Sequence, residues 1–199
     1  MRHNPIRTLS WMLIGAGALA GCQTVPLAPA PAVSYSVRRP MLQNLAAFGL
    51  SGRVAVAVGQ QGFDAGLRWR QQGTLARLTL SGPLGAGGVR ITARAGALSV
   101  VTASGKHLDN AAAREELAAK LGFEPPLASL RYWVLGVPDP ALPAEVTLGP
   151  DQRPQRIEQS GWQVVYRAYT SVGAEWLPRL LTLRREQVSV SMVVEKWQL

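Results

Sequence analysis

Along Phe63-Asp64-Ala65-Gly66-Leu67-Arg68-Trp69-Arg70, apolar side chains hold the odd positions and Asp64, Gly66, Arg68 and Arg70 the even ones. In an extended chain a period of two puts these sets on opposite faces, so the segment reads as a strand with one dry and one wet side. The same alternation recurs in Val54/Val56/Val58 and in Val89/Ile91/Ala93 against Arg90/Thr92/Arg94. Trp162/Val164/Tyr166/Ala168 oppose Gln163 and Arg167, and Val188/Val190/Met192/Val194 oppose Ser189, Ser191 and Glu195. Such strands in close succession, joined by Gly- or Pro-rich turns, predict an antiparallel sheet with a single apolar face. Trp197 breaks the pattern, because it has the parity of Ser189 and Ser191; a β-bulge would return it to the apolar side.

Three helical segments accompany the strands, giving a mostly β, α+β class. Leu42, Leu45 and Phe48 recur at near-helical spacing before Gly49. Asp109 or Asn110 suits the start of a helix that carries Ala113, Leu117 and Leu121 on one stripe and stops at Gly122. After Pro125-Pro126, Leu127, Leu130 and Val134 mark a third helix ending at Gly136. The last two carry enough apolar surface to plug a curved sheet. Length fits one domain, and a 47% apolar composition excludes collagen-like, coiled-coil and wholly disordered chains.

Little in the composition supports metal or covalent chemistry. Cys22 is the one cysteine and His3 and His107 the two histidines, so neither an internal disulfide nor a Cys-rich zinc site is available. His107 lies in a polar turn between Lys106 and Asp109, which reads as a solvated histidine. No G-x-S-x-G motif is present, and Gly82-Pro83-Leu84-Gly85-Ala86-Gly87-Gly88 lacks the Lys-Ser/Thr ending of a phosphate loop. The expectation is a protein without catalysis, metal or cofactor.

The N-terminus is more informative. Arg2 and Arg7 precede the apolar run Trp11–Leu19, followed by Leu19-Ala20-Gly21-Cys22. Positive residues, a short apolar stretch and small residues before the cleavage point make residues 1–21 a secretory signal. The tetrapeptide resembles a bacterial lipobox, whose cysteine receives a diacylglycerol on sulfur and, after cleavage, an acyl chain such as palmitate on nitrogen. Gln23, where an Asp would retain a lipoprotein in the inner membrane, points to the outer membrane, facing the periplasm. Loss of Arg2 and Arg7 lowers the net charge from +9 to +7, a cationic body suited to anionic phospholipid rather than to nucleic acid in that compartment. Residues 22–40, with Pro26, Pro29, Pro31 and Pro40, read as a lipidated cysteine and an extended tether, and residues 41–199 as the folded domain.

Two features invite a binding role. Gly82-Pro83-Leu84-Gly85 fits a tight turn that puts Leu84 at its tip, either folded onto the core or exposed as an apolar probe for lipid. Trp69, Trp133, Trp162, Trp176 and Trp197 remain in the mature chain, as core or as the wall of an aromatic-lined cavity.

Several motifs together resemble a known family. They are Gly52-Arg53, Leu67-Arg68-Trp69-Arg70-Gln71, Gly82-Pro83-Leu84-Gly85, Pro126-Leu127, Leu130-Arg131-Tyr132-Trp133-Val134-Leu135-Gly136, Gly161-Trp162-Gln163-Val164-Val165-Tyr166, Pro178 and Trp197. In order and spacing over most of residues 41–199 they resemble the outer-membrane lipoprotein receptor LolB. The resemblance implies an unclosed antiparallel β-barrel, filled by short helices, around an apolar cavity. It implies a receptor that takes mature triacylated lipoproteins from the periplasmic carrier LolA and inserts them into the inner leaflet of the outer membrane without a nucleotide; that the sequence shows no obvious association motif adds the expectation of a monomer. By motif, Trp69, Trp133, Trp162 and Trp197, with Leu67, Val164 and Tyr166, become the acyl-chain cavity. Pro83, Leu84 and Gly85 become the delivery loop. The competing expectation is a scaffold lipoprotein whose solid-cored sheet binds another envelope protein; a hydrolase using His107 and a serine is a third.

Overall fold

Alternation becomes pairing throughout the computed structural model, which describes residues 33–82 and 88–199. A first helix, α1 (Tyr35–Gln43), leads into β1 (Ala47–Val58), β2 (Gln61–Gln72), β3 (Leu75–Ser81), β4 (Gly88–Arg94), β5 (Ala97–Val101) and β6 (His107–Asp109). Helices α2 (Asn110–Leu121) and α3 (Leu127–Trp133) follow, then β7 (Glu145–Leu148), β8 (Pro154–Gln159), β9 (Trp162–Val172), β10 (Glu175–Arg185) and β11 (Val188–Gln198). All eleven strands form one antiparallel sheet in the order β6-β5-β4-β3-β2-β1-β11-β10-β9-β8-β7. The edges β6 and β7 do not pair, so the barrel stays open. The signal segment, Cys22, most of the expected tether and the Pro83-Leu84-Gly85 turn lie outside the described residues.

Tight turns set the register. At Ser160-Gly161, between the paired Gln159 and Trp162, both residues have positive φ (53° and 75°), the conformation whose twist matches that of flanking strands. The pairing of β1 with β11 slips once, between Ser51 opposite Lys196 and Gly52 opposite Val194, which leaves Glu195 as an extra residue. This bulge is the one Trp197 requires: Met192, Val194 and Trp197 are all buried, whereas Glu195 and Lys196 are exposed. Gly52 is what makes room for it. A Cβ there would lie 2.0 Å from the Val193 carbonyl oxygen, a backbone atom with nowhere to go.

Helix α2 ends as its sequence predicts, on Gly122 at φ 78°. Helix α1 differs from the expectation in position. Leu45 and Phe48 fall outside it, while Tyr35–Pro40, extended by composition, lie inside it. Tertiary contact accounts for the difference. Buried Arg38 pairs through Nε with Glu175 Oε2 at 3.2 Å and donates from Nη2 to the Trp176 carbonyl at 2.7 Å, while Tyr35 and Leu42 bury beside it. Phe48 belongs to β1, where its ring meets Trp69 (5.9 Å between centroids) and Trp197 (6.0 Å). Strand β10 escapes a periodic reading because Leu180, Leu181 and Leu183 put apolar side chains on both faces and Pro178 interrupts it.

Candidate functional site

Between the inner face of the sheet and the end of α2, α3 and the segment joining them lies a partly open cavity of about 80 Å³. Its wall is made by Val54, Val56, Leu67, Trp69, Leu78, Leu80, Ile91, Trp162, Leu183, Val190 and Met192 from the strands. Leu121, Phe123, Pro125, Pro126, Leu127 and Leu130 form the roof. Every one of these side chains is apolar. Strands β4 and β9 stand six places apart in the sheet yet line the same space, which measures how strongly the sheet curls. The indole N–H of the lining Trp69 donates to Gln71 Oε1 at 3.0 Å and so makes no demand on an occupant.

Two larger clefts open beside this cavity. One, of about 500 Å³, shares Pro125 and Leu127 with it and is rimmed by Arg94, Arg114, Glu124 and Arg131. The other, of about 520 Å³, shares Leu80 and Leu121 and is rimmed by Asp64, Lys106, Glu116 and Lys120. Leu117 of α2 lines both, so α2 separates two polar-rimmed clefts that each border the dry cavity.

The roof is held very differently at its two ends. At the α3 end, Trp133 donates its indole N–H to Gln159 Oε1 (2.8 Å), and its carbonyl accepts the buried Tyr166 hydroxyl (2.7 Å). Gln159 also accepts from the Asp139 amide and donates to the Asp139 and Leu142 carbonyls, each at 2.9 Å. Ser129 donates to Asp139 Oδ2 at 2.9 Å, and Arg131 donates to the Gly73 carbonyl at 2.8 Å. Gly136 closes the motif at φ 79°, where a Cβ would come within 3.3 Å of Pro178 Cγ. Toward α2 the polar ties are fewer and lie nearer the surface: Arg114 donates to the Gly96 carbonyl at 2.8 Å and pairs with Glu124 at 3.7 Å, while the roof itself rests on apolar contact such as Phe123 against Trp162, with ring centroids 5.8 Å apart.

Burial pushes the Tyr166 hydroxyl well above the ordinary tyrosine range, so it serves as a neutral donor to Trp133. Tyr169, buried alongside, is shifted upward for the same reason and donates to the Pro154 carbonyl at 2.6 Å.

Of the residues singled out from sequence, Leu67, Trp69 and Trp162 line the cavity. Trp133, Val164, Tyr166 and Trp197 are buried but do not line it. Trp133 packs behind Trp162 with centroids 6.2 Å apart, and Trp197 donates its indole N–H to the Pro178 carbonyl at 3.1 Å. Leu121 and Leu130 read from sequence as helix residues and not as cavity residues, and Phe123 carries no sequence signal at all, because only the fold lays them over the sheet. Cys22 and Pro83-Leu84-Gly85 lie outside the described residues. The strands flanking that turn contribute Leu80, Ser81, Gly82 and Val89 to the second cleft.

His107 is on the surface at edge strand β6. Its Nε2 lies 3.2 Å from Ser99 Oγ and 3.4 Å from Asp109 Oδ1. A nucleophile-activating triad needs the carboxylate on the other ring nitrogen, so this trio does not have the geometry of one.

The sequence pattern described as "Outer membrane lipoprotein LolB" matches residues 46–197. The chain is 30% identical over 198 residues to an outer-membrane lipoprotein LolB of Pseudomonas savastanoi pv. phaseolicola, covering 100% of this chain and 96% of that one. It is 32% identical over 167 residues to the protein of the same name from Pseudomonas aeruginosa, covering 84% and 82%. Among solved structures, a LolA superfamily protein from Nitrosomonas europaea superposes with a TM-score of 0.53 at 9% identity, covering 84% of this chain and 94% of that one. This last likeness is one of fold.

Proposed function

The chain belongs to the LolB family of outer-membrane lipoproteins, and from that premise we propose that its receptor role in lipoprotein localisation is carried out in the cavity beneath α2 and α3. The family's role is non-enzymatic: it localises lipoproteins at the outer membrane. In our reading the cargo is a mature triacylated lipoprotein handed over by the carrier LolA. Its acyl chains enter the dry space lined by Leu67, Trp69 and Trp162, supported from behind by Trp133, Val164, Tyr166 and Trp197. Cys22 carries the lipid anchor, residues 22–40 the link to it, and Leu84 with Pro83 and Gly85 leads the acyl chains into the outer-membrane inner leaflet.

The observation that carries this reading is a cavity lined without a single polar residue. Three acyl chains expose on the order of 45 methylenes in water, a cost of about 36 kcal/mol, so the cargo must pass from one apolar surface to another without a free intermediate. At about 80 Å³ the cavity is far below the roughly 300–1,000 Å³ of ordinary ligand sites, so loading requires the roof to move. Apolar contact is non-directional, and an incoming chain replaces the contacts that Phe123, Leu121 and Leu127 give up; the exchange is near neutral in buried area. The α3 end, fixed by buried hydrogen bonds, stays in place while the α2 side, with fewer ties that lie nearer the surface, yields.

The test is transfer itself. Carrier loaded with a triacylated lipoprotein is mixed with this protein; cargo should move to it, and an apolar fluorescent probe bound by it should be displaced by the same lipoprotein. Cargo that remains on the carrier, or a protein that takes up no probe, would leave a solid-cored scaffold as the better description.

A further inference from the structure

We propose that the outer face of β2, β3 and β4 is a docking surface for anionic phospholipid headgroups, which lays the receptor on its membrane with the β3–β4 hairpin against the bilayer. The proposal rests on the membrane-anchored reading above and adds to it the face that meets the lipid.

Five exposed arginines occupy this face: Arg68 and Arg70 on β2, Arg77 on β3, Arg90 and Arg94 on β4. The register sets them in adjacent rows. Arg68, Thr79 and Arg90 form one row across the three strands, and Arg70, Arg77 and Thr92 the next. With strands about 4.8 Å apart, the three-strand patch is roughly 10 Å across. Asp64, near the start of β2, is the one acidic residue on these strands. Arg70 and Arg77 stand directly opposite each other, a like-charge pair that works against the sheet. Arg77 donates to Gln72 Oε1, and among the described residues none of the five arginines forms an ion pair. Residues 1–32 and 83–87 contain no Asp or Glu, so the residues outside the described ones add no acidic side chain to the patch.

The chemistry of the face favours headgroups over an acidic protein. Between the arginines stand Thr79, Ser81 and Thr92, with no exposed aromatic or aliphatic anchor of the kind a protein interface concentrates its affinity on. A plane of anionic headgroups requires only spread positive charge within a Debye length.

The experiment uses the full acylated protein anchored in phosphatidylcholine vesicles, with and without phosphatidylglycerol. With Cys22 blocked by lipid, Thr79→Cys supplies a single thiol for a fluorophore in the middle of the patch, and headgroup-labelled lipid serves as quencher. Quenching should appear with phosphatidylglycerol, fade in high salt, and drop at least about fivefold in Arg70→Gln/Arg77→Gln/Arg90→Gln. That variant should keep its urea midpoint or raise it, since it relieves the Arg70–Arg77 repulsion, and should still float with the vesicles. Quenching indifferent to phosphatidylglycerol, salt or the substitutions would overturn the proposal. So would a fluorophore shielded by the carrier in the absence of vesicles, which would make the face a protein site. Cargo transfer from loaded carrier, measured in parallel, fails independently if the receptor reading is the one in error.

Discussion

Trp133 and Gln159 hold the roof of the cavity to the sheet: the indole N–H meets the amide oxygen at 2.8 Å, both side chains are buried, and 26 residues separate them in the chain. The same amide spans the 134–144 loop, accepting from the Asp139 amide and donating to the Asp139 and Leu142 carbonyls. One side chain thus satisfies a buried indole and several backbone groups of that loop, and it fixes the end of α3 to the sheet.

Gln159→Ala should destabilise the fold by about 3 kcal/mol, since it leaves the indole N–H and buried backbone groups without partners. Trp133→Phe, which removes one donor and some volume, should cost less, about 1–2 kcal/mol. Urea denaturation followed by far-UV circular dichroism measures both. Equal midpoints for wild type and Gln159→Ala would show that the network contributes nothing.

Roof and wall should respond differently to truncation. Phe123→Ala removes the contact with Trp162 and should speed uptake of an apolar probe severalfold, at a stability cost of about 2 kcal/mol for this half-buried side chain. Leu183→Ala, on the sheet side, should cost about 2–5 kcal/mol without speeding uptake. Stopped-flow fluorescence distinguishes them; faster uptake in both would mean that the sheet, and not the roof, gives way.

Gly52→Ala should cost about 3 kcal/mol, because the added methyl meets a backbone carbonyl and the bulge that turns Trp197 inward must reorganise. Trp197→Phe keeps the ring against Phe48 and loses the bond to the Pro178 carbonyl, about 1 kcal/mol. Tryptophan emission reads the first change directly, as a red shift on exposure of the indole.

Stability should fall above pH 10. Burial raises the Tyr35 hydroxyl from 10.0 to about 12 and moves Tyr166 and Tyr169 upward too. Above 10 the unfolded chain therefore binds fewer protons than the native one and gains from ionisation, so the stabilisation present below pH 10 is lost toward 12. Among the described residues Tyr35 Oη is buried with no hydrogen-bond partner, so Tyr35→Phe should be neutral or stabilising and should flatten the alkaline limb. An unchanged limb in that variant would exclude Tyr35 as a contributor.

Leu84→Glu should leave cargo uptake from the carrier intact and lower insertion into vesicles at least tenfold, since a charge at the tip opposes entry into the acyl region. Two-stage transfer with labelled lipoprotein separates the steps; equal loss in both would remove the distinct role proposed for this loop.

Side-chain periodicity was enough to assign the one-sided strands, because alternation is a property of the extended backbone itself, and Phe63–Arg70 shows it without any neighbour. The stop of α2 at Gly122 and the need for a bulge before Trp197 are local in the same sense. Nothing local reveals α1, whose Arg38 is satisfied by Glu175 and the Trp176 carbonyl more than 130 residues away, or the two-faced β10. The cavity is less local still. Trp69 and Trp162 line it while Trp133 and Trp197 stand behind it, though all four are large aromatics in matching motifs. Which indole meets the hollow depends on how far the sheet curls and where Phe123 and Leu130 are laid across it, and those are set by packing between elements distant in the chain.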